Sequence, residues 1–255
     1  MNKLSDINLK RELPNELKIN MRIKNITSID DADIVKPSYD IPLGLENGNK
    51  KTMNTGKKIK KIFVWNIPYW ITCPGRTKWC KKNCYNADDR IEVYDINRWK
   101  DNLWFYFNKP ELLKKIIYNQ LANLEYPAAV RIHSSGDFFS NDYIAFWMDI
   151  IKKNRNIFFW CYTRSWRVDG LKEKIKELAN EENVNLYASI DESEEGFYTI
   201  DYKLCVVYNV DNFLKEVDKN EKFICPEQIN KSNGCADCAN CILNTSKRDI
   251  AYIIH

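Results

Sequence analysis

Seven of the nine cysteines in this 255-residue sequence fall into two groups whose spacing is typical of metal binding. The C-terminal group contains Cys225, Cys235, Cys238 and Cys241. Its last three members stand at every third position, so a short loop can wrap them around one metal centre. Four thiolates complete either a tetrahedral zinc site or the corners of a four-iron cluster. Two consecutive CxxC steps favour the iron–sulfur (4Fe-4S) cluster, and zinc stays open as the alternative.

The first group consists of Cys73, Cys80 and Cys84, with the spacing Cx6Cx3C. Three thiolates in one loop would leave one iron of a four-iron cluster open to a substrate or a cofactor. The two remaining cysteines, Cys161 and Cys205, lie in predicted strands, where we interpret them as small buried apolar residues. Either could instead supply a fourth ligand, which would make the first site closed and structural.

The rest of the composition indicates a folded protein of a reducing compartment. Hydrophobic residues make up 44% of the chain and aromatic residues 13%, which argues against disorder. The beginning of the sequence has no apolar run of the signal-peptide type, and no stretch approaches the roughly 18 apolar residues of a membrane span. We therefore expect a cytoplasmic protein without membrane contact, in which grouped cysteines bind metal more often than they form disulfides.

A lysine-rich stretch without acidic residues stands ahead of the first cysteine group. The net charge of +4 does not by itself indicate nucleic acid, but this stretch is locally basic. It is either a solvated face or a contact to the phosphates of a nucleic-acid partner. Its six lysines are Lys50, Lys51, Lys57, Lys58, Lys60 and Lys61.

The elements that must position these residues follow from hydrophobic periodicity. Residues 1–50 are polar and irregular and are interpreted as an extended arm, residues 51–222 as an α/β core that carries the first cysteine group, and residues 223–255 as a cysteine-rich segment with the last strand. Predicted strands cover 62–65, 128–133, 157–162, 184–190, 204–208 and 250–254. Predicted helices cover 96–107 after an Asp95 cap, 110–124, 141–153 after a Ser140 cap, 170–180 and 211–217. This alternation predicts an α/β fold with a mainly parallel sheet, as a partial or distorted (β/α) barrel with a C-terminal cysteine-rich loop.

Polar residues follow several of these strands, at the edge where α/β folds place their chemistry. His133 ends one strand and Asp137 follows it, where a carboxylate could hold an amine or a sugar hydroxyl. Arg164 follows the next strand and suits a carboxylate or phosphate, unless it belongs to a surface turn. Ser189 and Asp191 end a third strand and could bind ribose hydroxyls or cap the next turn.

Several short motifs lie along residues 44–255. They are Thr72-Cys73-Pro74-Gly75, Cys80-x3-Cys84-Tyr85, Arg131-x-His133-x-Ser135-Gly136-Asp137-Phe138-Phe139, Tyr162-Thr163-Arg164-Ser165-Trp166, Cys225-Pro226-Glu227-Gln228 and the run of Cys235, Cys238 and Cys241. Together these motifs resemble the phage gene product 88 family. That family has no established activity, so the resemblance implies a phage or plasmid setting and little about function.

The order of these features also resembles that of radical S-adenosylmethionine enzymes. Those enzymes have a partial (β/α) barrel, a three-cysteine loop after the first strand and often an auxiliary cluster near the C-terminus. The likeness implies that Asp137 holds the methionyl amino group of S-adenosylmethionine and that Ser189 or Asp191 holds the ribose. Substrate would then lie near His133, Asp137 and Arg164. The Cx6Cx3C spacing departs from the CxxxCxxC of that class.

Two functions are therefore expected from the sequence. The first is an iron–sulfur enzyme of radical S-adenosylmethionine type, with two clusters and an unknown substrate. The second is a non-catalytic module, stabilised by zinc or iron–sulfur, that binds nucleic acid through the lysine-rich stretch.

Overall fold

The computed structural model describes residues 43–48, 56–87, 93–122, 124–194, 202–217, 220–229, 231–232 and 234–254. The predicted N-terminal arm therefore lies almost entirely outside the described residues, and so do Lys50 and Lys51. No helix within these ranges is long and apolar enough to cross a membrane.

Eight strands form one open and mainly parallel sheet, which confirms the predicted α/β class. The spatial order is β1-β2-β3-β4-β5-β6-β8-β7, with β1 antiparallel to β2 and every other neighbouring pair parallel. The central strands thus follow chain order, as in a (β/α) barrel that has not closed. The strands are β1 Glu46–Asn47, β2 Lys61–Trp65, β3 Ala128–Ile132, β4 Ile157–Thr163, β5 Val184–Asp191, β6 Lys203–Tyr208, β7 Lys222–Ile224 and β8 Asp249–Ile253.

The longer helices pack on one face of this sheet. Helix α4 illustrates why they form: the hydroxyl of Ser140 caps it by accepting the N–H of Tyr143 at 3.2 Å, and seven of its thirteen side chains are buried. The helices are α1 Lys78–Lys82, α2 Val93–Asn108, α3 Pro110–Ala122, α4 Asn141–Lys153, α5 Lys172–Ala179, α6 Val210–Glu216, α7 Cys235–Cys238 and α8 Asn240–Leu243. Helix α2 begins upstream of the Asp95 cap that the sequence predicts.

The sheet has two differently covered faces because side chains alternate along each strand. On the helix-covered face, Phe159 and Cys161 are fully buried in the main hydrophobic core. Their neighbours Trp160 and Tyr162 point to the opposite face, here called the cavity face. There Trp160 packs with Ala236 and Ile242 of the C-terminal cysteine segment.

The C-terminal cysteine segment differs from the predicted loop, since it contains the two one-turn helices α7 and α8. Ala239 lies between them in the left-handed conformation, with φ 53° and ψ 9°, and so ends one helix and begins the other. Ala236 and Ala239 are buried against the sheet. Small residues permit this close approach, which brings the cysteines of the segment over the cavity face.

Candidate metal and ligand site

One cavity of about 370 Å³ lies on the cavity face, and both cysteine groups line it. The loops after β2, β3 and β4 form one side, and the C-terminal cysteine segment forms the other. Side chains of the sheet, among them Arg131, Trp160 and Tyr162, form the floor. The sequence predicted two groups, and the fold brings them to one cavity. The cysteines concerned are Cys73, Cys80, Cys84, Cys225, Cys235, Cys238 and Cys241.

The first cysteine group is held by helix α1. The hydroxyl of Thr77 caps α1 by accepting the N–H of Cys80 at 3.0 Å. Cys73 precedes the helix and Cys84 follows it, so one helical turn sets the separation of the three thiols. Gly75, between Cys73 and the cap, lies directly against the backbone of Arg164 at the end of β4.

The loops after β2 and β3 are joined by hydrogen bonds and by close packing. The side-chain oxygen of Asn66 accepts the N–H groups of Ser134 and Ser135 at 2.7 and 2.8 Å. Gly136 adopts φ +81°, and a Cβ there would lie 2.4 Å from the side chain of Ile67. Glycine is therefore needed for both conformation and space. These contacts fix the rim of the cavity beside Cys73.

Two thiols of the first group, those of Cys73 and Cys80, are buried enough to stay protonated when no cation is near. Burial raises the pKa of Cys73 far above its usual range, and the neighbouring charges of Asp137, Cys80 and Cys84 add to this. Burial also raises the pKa of Cys80, although Arg164 opposes the shift. Thiolate ligands at these positions would thus need a metal to replace their protons, and metal uptake would release protons.

The second cysteine group is surrounded by tyrosine hydroxyls. The Tyr252 hydroxyl lies 3.6 Å from Cys241 Sγ and 2.7 Å from the Tyr162 hydroxyl. Burial raises the pKa of Cys241 to about 12, against hydrogen bonds from both tyrosines that lower it, while the charges of Cys235 and Cys225 raise it further. Cys225, Cys235 and Cys241 line the same cavity as Tyr162 and Tyr252.

The fold distinguishes the two strand cysteines, which the sequence left equivalent. Cys161 is fully buried in the core of the helix-covered face and does not line the cavity. Cys205 lines the cavity, and after burial it is the charge of Cys241 that most raises its pKa. Cys205 therefore lies beside the C-terminal group, and Cys161 lies on the far side of the sheet from both groups.

None of the nine cysteines forms a disulfide. Across the described ranges, no three His, Cys, Asp or Glu side chains lie close enough together to hold a metal ion. Metal binding by the two groups stays a prediction.

The Asp137 carboxylate is buried and bonded to the end of β4. It accepts the Thr163 hydroxyl at 2.5 Å, the Arg164 N–H at 2.8 Å and the Phe138 N–H at 2.7 Å. Burial raises the pKa of Asp137, and these hydrogen bonds oppose the shift. Asp137 also lines the cavity. Its chief visible role is to join two strand ends, and ligand binding by its carboxylate stays a prediction.

Arg164 and Asp191 contact each other. The Arg164 guanidinium lies 3.2 Å from Asp191 and 3.3 Å from Glu194, and all three side chains are largely buried. Arg164 lines the cavity, whereas Asp191 does not. Ser189 does line it, and the backbone carbonyl of Ser189 accepts the indole N–H of Trp166 at 3.3 Å. Of the two residues predicted to bind ribose, Ser189 is thus the one that faces the cavity.

His133 lines the cavity and is nearly inaccessible to solvent. Its Nε2 lies 2.9 Å from the Tyr143 hydroxyl, which accepts the indole N–H of Trp65 at 2.7 Å. Burial, followed by the charge of Arg131, lowers the pKa of His133 to about 3. The imidazole is therefore neutral at physiological pH.

The family-level comparison agrees with these motifs. A model of the family described as Gene product 88 matches residues 43–244. This chain belongs to that family. The match contains both cysteine groups, and it confirms the resemblance predicted from the sequence motifs.

Two phage proteins are similar to this member of the gene product 88 family. The Gene 88 protein of Mycobacterium phage L5 is 26% identical over 201 residues, which cover 71% of this chain and 82% of the relative. The Gene 88 protein of Mycobacterium phage D29 is 25% identical over 192 residues, 68% of this chain and 78% of the relative. No solved structure matches this chain. The names of the two relatives state no activity.

Two of the described lysines of the basic stretch, Lys57 and Lys58, contact the C-terminal cysteine segment in this gene product 88 protein. The Lys58 ammonium donates to the carbonyl of Cys238 at 3.0 Å, and the Lys57 N–H donates to Asp237 at 2.9 Å. Gly56 lies against the backbone of Ala236. Lys60 directly precedes β2, and Lys61 is the first residue of that strand. The stretch thus braces helix α7, and nucleic-acid binding through it stays a prediction.

The position of Arg131 in the cavity was not predicted from the sequence, where the residue stood out only as part of a motif. Arg131 lies within β3 and faces the cavity beside the ring of Tyr162, with 5.4 Å between the guanidinium carbon and the ring centre. The available signal was a single charge in an otherwise apolar strand, Ala-Ala-Val-Arg-Ile. A charge in such a strand must find a polar environment on one face of the sheet.

Proposed function

We propose that this protein is an iron–sulfur protein of radical S-adenosylmethionine type, with an auxiliary cluster held by its C-terminal cysteines. One observation carries the proposal: both cysteine groups line a single cavity at the carboxyl ends of parallel strands. In open α/β sheets this edge is where ligands bind. Cysteines that are grouped at such an edge without disulfides suit a metal centre of a reducing cytoplasm better than a packing role.

The donor set supports clusters. Cys73, Cys80 and Cys84 would hold the first and leave one iron for a cofactor, and Cys225, Cys235, Cys238 and Cys241 would hold the second. In a four-iron cluster each thiolate binds a different iron, so its cysteines need not converge on one ion. The proposal is therefore compatible with thiols that line a common cavity without forming a single-ion site.

The chain's own residues supply binding and orientation. The first cluster, when bound, would supply the electron that cleaves S-adenosylmethionine reductively. Ser189 lines the cavity from β5 and is the residue we assign to the ribose. Asp137 lines the same cavity and joins the ends of β3 and β4. The rings of Trp160 and Tyr162 form part of the cavity floor.

The first test is the metal content after anaerobic reconstitution of the full chain with iron and sulfide. Two four-iron clusters would give about eight iron atoms per chain and a broad absorption near 400 nm, by counting four per cluster. Cys73→Ala and Cys235→Ala should each lose about half of the iron. Cys161→Ala is the matched control, because that thiol lies on the other face of the sheet, and it should keep all of the iron. One or two zinc atoms in place of iron would replace the cluster proposal by a structural zinc site.

The second test concerns the reaction. Reconstituted protein is reduced under anaerobic conditions with S-adenosylmethionine, and 5′-deoxyadenosine is measured by chromatography. We expect its formation by the wild-type protein and its loss in Cys84→Ala. Cluster-loaded protein that forms none would remove the radical reaction and leave an iron–sulfur binding protein.

A further inference from the structure

The half-buried Arg131 carries a positive charge that lacks a countercharge within the described parts of the chain. Its Nε is buried without a hydrogen-bond partner there, and no described carboxylate forms an ion pair with it. Burial opposes the charged state, but the neighbouring Tyr85, Tyr162 and Tyr252 raise the pKa of Arg131 overall. The ring of Tyr162 contributes a cation–π contact. A partly buried cation with so little compensation is stabilised when an anion joins it.

His133 directly follows β3 and offers a second nitrogen group at the wall of the same cavity. The Tyr143 hydroxyl accepts the Trp65 indole N–H, and its oxygen lies 2.9 Å from His133 Nε2. When Tyr143 donates its own proton to Nε2, the single proton of the neutral imidazole is on Nδ1. Nδ1 is buried and has no hydrogen-bond partner among the described residues. His133 and Arg131 stand two residues apart, and both line the cavity.

The position of Arg131 relates it to both cysteine groups. Its charge interacts with Tyr85, which adjoins Cys84, and with Cys235 of the C-terminal group. The residue therefore lies between the two groups on the floor of the cavity. A volume of about 370 Å³, lined by both aromatic and polar side chains, is in the range of small-molecule sites.

We propose that Arg131 and His133 bind the anionic group, a carboxylate or a phosphate, of a small-molecule ligand in this cavity. Arginine presents a planar fork that pairs with either anion through two hydrogen bonds, and the imidazole N–H adds a third donor. This inference names the substrate class of the cavity described under the proposed function. It rests on that proposed function for the two clusters beside the anion. The anion site itself consists only of side chains of the chain.

The test is calorimetric titration of the full chain with inorganic phosphate and, separately, with succinate, at constant ionic strength. Each titration is made on metal-free and on reconstituted protein, and iron is measured in every sample. We expect saturable binding of at least one anion, weakened at least tenfold in Arg131→Gln and less in Arg131→Lys. Phosphate and succinate together show which anion the site prefers.

Two further variants sharpen the result. His133→Gln keeps a polar atom near the Nε2 position for Tyr143 and removes the Nδ1 donor, so it should weaken anion binding several-fold. Arg155→Gln is the matched control, because Arg155 pairs with Glu181 outside the cavity, and its affinity should equal that of wild type. Circular dichroism confirms that each variant is folded.

The outcomes separate the two proposals. Anion binding by a protein that takes up no iron would support the anion site and overturn the cluster proposal. Iron uptake by a protein that binds no anion would support the clusters and overturn the anion site. An affinity unchanged in folded Arg131→Gln overturns the inference. A loss of iron in Arg131→Gln with anion affinity retained also overturns it, and it assigns Arg131 to balancing thiolate charge.

Discussion

Gly75 packs against the backbone of Arg164 with no room for a side chain. A Cβ on Gly75 would lie 2.0 Å from the Arg164 carbonyl oxygen and 2.4 Å from its carbonyl carbon. Because backbone atoms cannot move aside like the end of a flexible side chain, this contact anchors the first cysteine loop to the end of β4. The same strand end receives the Asp137 hydrogen bonds, so three loops meet there.

Gly75→Ala should therefore displace the loop that carries Cys73 and Cys80. We expect a loss of about 1–3 kcal/mol in the free energy of unfolding, as in other overpacked sites, and lower iron content after reconstitution. Urea unfolding and iron analysis measure the two effects. Gly170→Ala is the control, since nothing lies within 4 Å of a Cβ there, and it should be neutral or slightly stabilising. Equal behaviour of the two variants would contradict the proposed anchor.

Gly56→Ala should act on the other cysteine group. A Cβ on Gly56 would lie 2.4 Å from the carbonyl carbon of Ala236 in helix α7. We expect the iron bound by the C-terminal cysteines to be lost and that of the first group to be kept, so total iron falls by about half. Lys58→Gln removes only an exposed hydrogen bond to the same helix and should change stability by less than about 0.5 kcal/mol. Loss of all iron in Gly56→Ala would show that the two centres do not form independently.

Arg164→Gln should be strongly destabilising because it leaves the buried Asp191 carboxylate without its cation. Asp191 is 1% exposed and the Arg164 side chain 9%, and removing one partner of such a pair costs about 3–5 kcal/mol. Arg155→Gln breaks the Glu181 pair, in which Arg155 is half exposed, and should cost at most about 1 kcal/mol. Urea unfolding of the metal-free proteins compares them. A similar small loss in both would mean that the Arg164 pair is well solvated.

His133 should make the protein less stable in mild acid. Its pKa is about 3 in the fold and about 6.5 in an unfolded chain, so between these values the unfolded state binds a proton that the folded state does not. Stability from this group is therefore complete above pH 6.5 and falls as pH decreases. From pH 6.5 to pH 4.5 the loss is about 1–3 kcal/mol at 1.36 kcal/mol per pH unit.

The control for this titration is His133→Gln, which removes the titrating group. The unfolding free energies of wild type and variant are measured by urea at the same pH values. Between pH 6.5 and pH 4.5, the decline for the variant should be smaller than that for wild type by about 1–3 kcal/mol. Parallel pH profiles for wild type and variant would show that the imidazole accepts a proton in the folded state as readily as in the unfolded one.

Local patterns in the sequence determined most of the α/β core. Helix α4 has the predicted bounds because the Ser140 cap and the apolar face of residues 141–153 both lie in one continuous stretch of sequence. Strands β3, β4 and β5 were predicted within one residue at each end, since apolar runs between turns specify them locally. The two-residue β1 and the three-residue β7 were missed, because segments that short show no periodicity and exist only through their neighbours.

The sequence by itself also determined which cysteines belong together, since members of each group are close along the chain. Only the tertiary structure decided that both groups line one cavity, that Cys205 faces it while Cys161 does not, and that Arg131 lies between them. The physical reason is that alternation in a strand gives two faces without saying which is covered by helices and which is left open. That choice depends on contacts between segments far apart in the chain, such as Trp160 with Ile242.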